Sequence, residues 1–284
     1  MSNIWRRFRP SVTYHRAPQG DVFRRAREIV DALPVPKRRL WQRHDYSELN
    51  NMVHDQLQRA HTTSQPEHYM AALILQSPRS IMAQKSMDKH PHGFHDKEAR
   101  LDELITFNDT YESLILALPT TARHGANDQI KLAIDDFCRQ LHAPKFSNKQ
   151  WEAITHGLSR EIAVYLGARS LGYQAEMTSR HQDAMGVDMV ISHATSGRSI
   201  NVDIKTRSSF HFRLKDLTSE GRISEMQREA AEHAGFCMVV NGQGDEQVHT
   251  TLLRIDEETY GLIQDFEISR LDVLGDKIAE IMRY

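Results

Sequence analysis

The segment GVDMVISHATSGRSINVDIKTR, residues 186–207, narrows the choice of fold more than any other part of the chain. It holds two runs in which apolar and polar side chains alternate, separated by Ser196 and Gly197. A period of two is the signature of a half-buried strand, and a Ser-Gly pair between two such runs predicts a hairpin. Along the second run Ile200, Val202 and Ile204 share one face, while Asn201, Asp203 and Lys205 share the other. Along the first, Val187, Met189 and Ile191 share a face and leave Asp188 and Val190 opposite. With the turn centred between Ser196 and Gly197, Asp188 lies across from Lys205 and Val190 across from Asp203. The expectation is one patch on which Asp188, Asp203 and Lys205 converge, and a slip of one residue would disperse it.

The surrounding pattern predicts an α/β sandwich with a mixed sheet. Ser147 or Asn148 is placed to cap a long helix through KQWEAITHGLSREIAVYLGARSLG, which ends near Gly172. Ile154, Leu158, Ile162, Tyr165 and Leu166 give that helix an apolar face. A short strand, YQAEMT, precedes the hairpin. A helix in SEGRISEMQREAAEHAG leads into GFCMVVNG, a continuous apolar run of the kind found in a central strand. VHTTLLRI reads as one more strand and ISRLDVLGDKIAEIMRY as a closing helix.

Before residue 147 the chain reads as mainly helical. DVFRRAREIVDAL carries Val22, Ala26, Ile29, Val30 and Leu33 at helical spacing, with Asp21 as the cap and PVPK as the stop. SELNNMVHDQLQRA and Glu98 to Leu118 supply two or three more helices, and NDQIKLAIDDFCRQL another. SMDKHPHGFHDKE reads as a solvated loop, so His90, His92, His95 and Asp96 are not taken as metal ligands. The organisation expected is a helical region over 1–146, serving substrate recognition, and an α/β domain over 147–284.

Composition bounds the function. The chain has 284 residues, 39% hydrophobic and 26% charged, enough for a substantial core and no sign of global disorder. No apolar run approaches the roughly 20 residues that cross a bilayer, and MSNIWRRFRP has no apolar stretch behind its arginines, so a cytoplasmic protein without a signal peptide is expected. Cys138 and Cys237 are expected to be reduced core residues. The net charge of -2 conceals an uneven distribution. Residues 1–60 hold twelve Lys/Arg against six Asp/Glu, and residues 216–284 six against fifteen. A basic N-terminal segment suits phosphate binding, and an ordinary solvated surface accounts for it equally well. Trp5 and Phe8 among Arg6, Arg7 and Arg9 either stack on bases or anchor the terminus. There is no GxxxxGK[ST] or GxGxxG motif for nucleotides.

Two neighbouring carboxylates repel, and a divalent cation between them relieves the repulsion. Oxygen-only ligands suit Mg²⁺ or Mn²⁺ rather than zinc. A lysine beside them is placed to orient a water or to stabilise charge growing on a phosphate. An exposed Asp–Lys pair across a hairpin, by contrast, would be a surface ion pair worth about 0–1 kcal/mol.

Glu161, the GVD of 186–188 and the DIK of 203–205 together resemble the PD-(D/E)xK nuclease superfamily, including archaeal Holliday-junction resolvases and related nucleases. Asp188 matches its first strand acid, Asp203 its second, Lys205 its lysine and Glu161 its helix glutamate. Val187 replaces the nominal proline, and Asp203 stands where Glu is more usual. The resemblance spans about residues 148–245. It implies a restriction-endonuclease-like mixed sheet flanked by helices. It also implies an Mg²⁺-dependent endonuclease, Mn²⁺ being the other metal, with Asp188, Asp203 and Glu161 at the ion. The expected substrate is DNA, with RNA as the other choice, and the expected assembly is a homodimer. The alternative is a nucleic-acid-binding protein on the same fold that no longer cuts. Glu152, nine residues before Glu161, falls on nearly the opposite side of the helix. Thr206, Arg207, Ser208 and Gln227 are expected as weaker nucleic-acid contacts, and Gln182 and Asp183 either position DNA or form a turn.

Overall fold

The computed structural model describes residues 22–35, 41, 46–89, 97–178, 182, 185–242 and 247–284. The expectations for Asp21, Trp5, Phe8 and the arginines beside them, His90, His92, His95, Asp96 and Asp183 fall outside those residues. The chain divides into two compact units, with the boundary between Thr155 and His156. No helix among the described residues is long and apolar enough to cross a membrane.

The first unit is helical: α1 (Val22–Ala32), α2 (Ser47–Thr63), α3 (Pro66–Lys89), α4 (Lys97–Ala117), α5 (Thr120–Arg123), α6 (Ala126–Gln140) and the start of α7 (Asn148–Ser170). Helix α3 was not expected, and its last residues replace the start of the loop read in SMDK. Its residues Tyr69 to Leu75 are all buried, so it has no polar face to give an amphipathic pattern. Pro78 lies inside it and lacks the N–H that would bond the carbonyl of Ile74. The Ser77 hydroxyl supplies that bond instead, at 2.7 Å. Around it, Phe107 and Trp151 each pack a ring against Phe146, at 5.6 and 5.9 Å between centroids.

The second unit contains the remainder of α7, then β1 (Gln174–Met177), β2 (Met189–Ser192), β3 (Ser199–Lys205), α8 (Arg207–Ser219), α9 (Glu225–Ala234), β4 (Phe236–Asn241), β5 (Val248–Arg254), α10 (Glu257–Tyr260), β6 (Ile263–Gln264), β7 (Glu267–Ile268) and α11 (Leu271–Ile281). Five strands form a mixed sheet in the order β1-β2-β3-β5-β4. Strands β3 and β5 are parallel, and the other neighbours are antiparallel. A mixed α/β architecture flanked by helices, with a helical N-terminal stretch, is therefore present.

Three details differ from the sequence reading. GFCMVVNG is an edge strand, not a central one, and Met238 and Val240 are 52% and 38% exposed. Helix α8 follows β3 directly and had no counterpart in the expectation. It is capped by Thr206, whose side chain accepts from Ser209 N–H, and it buries Phe210, Leu214 and Leu217 at helical spacing. These join Cys237, Val239 and Leu252 in the core beneath it. The hairpin turn also centres one residue earlier than expected, between Thr195 and Ser196, which shifts cross-strand partners by two: His193 N–H bonds Arg198 O at 2.8 Å, and Met189 pairs with Val202. Both cysteines are buried and free.

Helix α7 starts with a reciprocal cap, Ser147 N–H to Gln150 Oε1 at 2.9 Å and Gln150 N–H to Ser147 Oγ at 3.2 Å. It ends on Gly172 at φ +88°, where Tyr173 N–H reaches the Ala168 carbonyl at 3.1 Å. Between them, Gly167 lets α11 approach: a Cβ there would lie 2.7 Å from Leu274 Cδ2 and 3.1 Å from Leu271 Cδ2. Gly167→Val is therefore expected to destabilise the protein by about 1–3 kcal/mol through overpacking. Urea unfolding measures this, and an unchanged midpoint would show that α11 yields freely.

Candidate functional site

The site forms where β2 and β3 part. Val202 and Ile204 direct their backbone groups toward β2. Asp188 N–H bonds the carbonyl of Val202, the residue opposite Met189, at 2.9 Å, so the regular ladder is already departing here. The next N–H, that of Ile204, finds no carbonyl and donates to Asp188 Oδ2 at 2.6 Å. A carboxylate thus ends the ladder. Thr178, just past β1, fixes the same point by donating from its backbone N–H to the Asp188 carbonyl at 3.1 Å. Gln182 shapes the approach: its carbonyl accepts from Met185 and Val187 N–H, both at 3.0 Å, so its backbone makes the turn into Asp188.

The two-residue shift in register preserves the faces and changes the partner. The ladder ends with Met189 opposite Val202, and Asp188, one residue beyond it, meets the Asp203 carboxyl through a side-chain hydrogen bond. The acids are brought together more directly than the expected register implied. Asp203 is 4% exposed. Lys205, two residues on along the same face, donates to Asp203 Oδ1. Gly186, at φ +75°, brings the incoming chain close: a Cβ there would lie 3.0 Å from the Asn241 side-chain nitrogen and 3.7 Å from Asp203 Oδ2.

Glu161 reaches this patch from α7. Enclosure of the Asp188 carboxyl raises its pKa well above the usual range, and the charges of Glu161 and Asp203 raise it further, against the opposing effect of Lys205. Asp203 is also raised, by burial, with Lys205 as the main opposing influence. A hydrogen bond with the Asp188 carboxyl also favours its ionised form. Burial works against the charge of Lys205. Asp188, Asp203 and Glu161 outweigh it, and the lysine pKa rises. The Asp188 and Asp203 carboxyls thus share a hydrogen bond, with Lys205 bonded to Asp203 and the neutral form of Asp188 favoured by its surroundings. Arg213 of α8 adds a further positive influence on Asp203. The sequence reading missed Arg213 because it missed α8, although Phe210, Leu214 and Leu217 at i, i+4 and i+7 signal that helix.

The remaining candidates are dispersed. Glu152 is exposed. Thr206 caps α8, and its hydroxyl lies 3.3 Å from that of Ser208. Arg207 pairs with Glu258 on the surface. Gln227 completes a reciprocal cap on α9, accepting from Ser224 N–H at 2.8 Å, which occupies its amide oxygen locally.

Among the described residues, no group of three or more His, Cys, Asp or Glu is arranged to hold a metal ion. The donor set still suits one class of cation. Mg²⁺ retains several waters and binds through one or two carboxylates, and here two carboxyls lie together with a third in electrostatic reach.

The raised pKa of Asp188 has a consequence for stability. An unfolded aspartate loses its proton near pH 3.9, whereas the folded Asp188 retains it to higher pH. The associated stabilisation is full below the ordinary carboxylate range and is lost as pH rises toward the raised value. Asp188→Asn keeps an acceptor for Ile204 N–H and a donor for Asp203. It is expected to gain stability over the native chain as pH rises from about 4 to about 8, measured by urea unfolding at each pH. A difference independent of pH would contradict the burial of this carboxyl.

Comparison of the chain with protein families, with characterised proteins and with solved structures finds no match.

Proposed function

We propose that the chain is a metal-dependent endonuclease of the PD-(D/E)xK superfamily, hydrolysing phosphodiester bonds in DNA on a restriction-endonuclease-like fold. One observation carries the reading: the Asp188 and Asp203 carboxyls hydrogen-bond each other at the end of a strand pair, with Lys205 hydrogen-bonded to Asp203 on the same face. A structural ion pair needs one acid. The second acid, placed beside the first and largely buried, costs stability that a metal-binding role explains.

Asp188 and Asp203 would hold Mg²⁺, or Mn²⁺, with Glu161 supporting the ion through water. The bound ion supplies Lewis acidity toward the phosphodiester and lowers the pKa of a coordinated water. The role requires the ionised form of Asp188, whose pKa is raised here, which makes the Asp188–Asp203 pair responsive to the arrival of positive charge. Lys205 keeps its proton, because the three acids favour its charged form. It therefore serves as a hydrogen-bond donor to phosphate oxygen and stabilises negative charge growing there, rather than acting as a base. The backbone bond from Ile204 holds the Asp188 carboxyl in orientation while the charge at the site changes. Cutting both strands of a duplex requires two such sites, and a homodimer would supply them.

The test is cleavage of supercoiled plasmid, of a branched DNA junction and of single-stranded RNA, each with Mg²⁺, Mn²⁺ or EDTA. Cutting is expected with either metal and not with EDTA. Lys205→Ala should lose about 10²–10³-fold in rate, the range seen when one charge-stabilising donor is removed, and Asp203→Ala should fall to background. Cleavage undiminished in both variants would refute the assignment. Salt-sensitive binding without cleavage of any substrate would favour the binding-protein alternative.

A further inference from the structure

A cleft lies at the carboxyl ends of β3 and β5. It measures about 960 Å³, and its walls include Arg160 from α7 and Thr206, Arg207 and Ser208 at the start of α8. Strands β3 and β5 are the parallel pair of the sheet, and the chain runs on from them into α8 and α10 respectively. In open α/β sheets, crevices of this kind are where ligands bind.

Arg160 is 8% exposed. Its Nε donates to the Ile255 carbonyl at 3.3 Å and its Nη1 to the His156 carbonyl at 3.0 Å. Its Nη2 has no hydrogen-bond partner among the described residues, and no carboxylate among them forms an ion pair with it. The acids of the same cleft are engaged elsewhere. Asp256 pairs with Arg254 at 2.7 Å and accepts from Thr259 N–H at 2.9 Å. Glu232 lies 3.0 Å from His211 Nδ1, and Glu229 is exposed. A largely buried guanidinium thus lines the cleft with its Nη2 free of hydrogen bonds among the described residues; the charges of Glu257 and Asp256 favour its charged form from beyond ion-pair distance.

The first turn of α8 meets it there. Ser209 N–H is taken up by Thr206 Oγ1 at 3.3 Å, and Phe210 N–H by the Thr206 carbonyl at 2.8 Å. The N–H groups of Arg207 and Ser208 precede any intrahelical acceptor. A helix of 13 residues adds the positive end of its dipole at this point. Arg160 directly precedes Glu161, and Thr206 directly follows Lys205. The same two segments therefore furnish the carboxylate site and this cleft.

We propose that Arg160 and the first turn of α8 bind a phosphate group of the nucleic-acid strand, flanking the one that is cut; the identity of the strand rests on the nuclease reading. Arg160 supplies a charged donor at Nη2, and the α8 turn supplies backbone N–H groups and the Ser208 hydroxyl. An internal diester and a terminal monoester present the same chemistry to these groups.

The test uses the full chain in EDTA, where no cutting interferes. Fluorescence anisotropy follows short DNA oligonucleotides with and without a 5′-phosphate across a salt series, and thermal unfolding follows inorganic phosphate. Arg160→Gln is expected to lower the slope of log K against log salt by about 0.7–0.9, the value for one phosphate contact, and to abolish stabilisation by inorganic phosphate. Ser208→Asp provides the control for folding, because an acid in the first helical turn favours the helix while repelling phosphate. It should weaken binding without lowering the melting temperature. Equal losses on both oligonucleotides would identify an internal diester, and losses confined to the phosphorylated one a terminal phosphate. Arg160-dependent binding of inorganic phosphate by a chain that cuts no substrate would uphold the phosphate site and refute the nuclease reading. An unchanged salt slope in both variants, with cleavage intact, would overturn the site and leave the nuclease reading standing.

Discussion

The hydrogen bond from Ile204 N–H to Asp188 Oδ2 is the constraint on which the site depends. A strand ladder ordinarily continues from carbonyl to carbonyl, and an unpaired buried N–H is costly. Here a side chain substitutes for the backbone, so β2 and β3 can part without leaving the donor unsatisfied. The same substitution holds the Asp188 carboxyl beside Asp203. Geometry that ends the sheet and geometry that pairs two acids are thus one feature.

Pairing those acids within the fold has an electrostatic cost. Lys205 offsets part of it through its contact with Asp203, and the remainder shows in the raised pKa of Asp188. That contact does not remove the influence of Glu161, which adds negative charge from a separate element. Removing one partner from such a network leaves a buried charge exposed to the others, whereas replacing an acid by its amide relieves the repulsion. A site assembled this way favours positive charge brought from outside, and that preference connects its stability to its chemistry.

The hairpin was legible because alternation identifies faces regardless of register. Asp188, Asp203 and Lys205 could be assigned to one side from the pattern alone. Which of them stood opposite which depended on the turn, and the four residues Ala194 to Gly197 left its centre open; the structure places it one residue earlier, which moves every partner by two and so preserves the faces. Helix α3 was obscured for a different reason. Burial on every side from Tyr69 to Leu75 erases amphipathic periodicity, and Pro78 argues against a helix unless Ser77 is known to satisfy Ile74. Strand β4 shows the limit of composition: Phe236 to Val240 is apolar throughout, yet Met238 is half exposed at the sheet edge. Sequence pattern reports which faces are apolar, and the neighbour that covers a face is decided by topology.

Direct titration with Mn²⁺, followed by electron paramagnetic resonance, tests the central claim without requiring a substrate. Asp188 and Asp203 acting together should take up one ion per chain, with uptake accompanied by proton release and lost in Asp203→Ala. No uptake by the native chain, or equal uptake by Asp203→Ala, would contradict a metal site at this carboxyl pair.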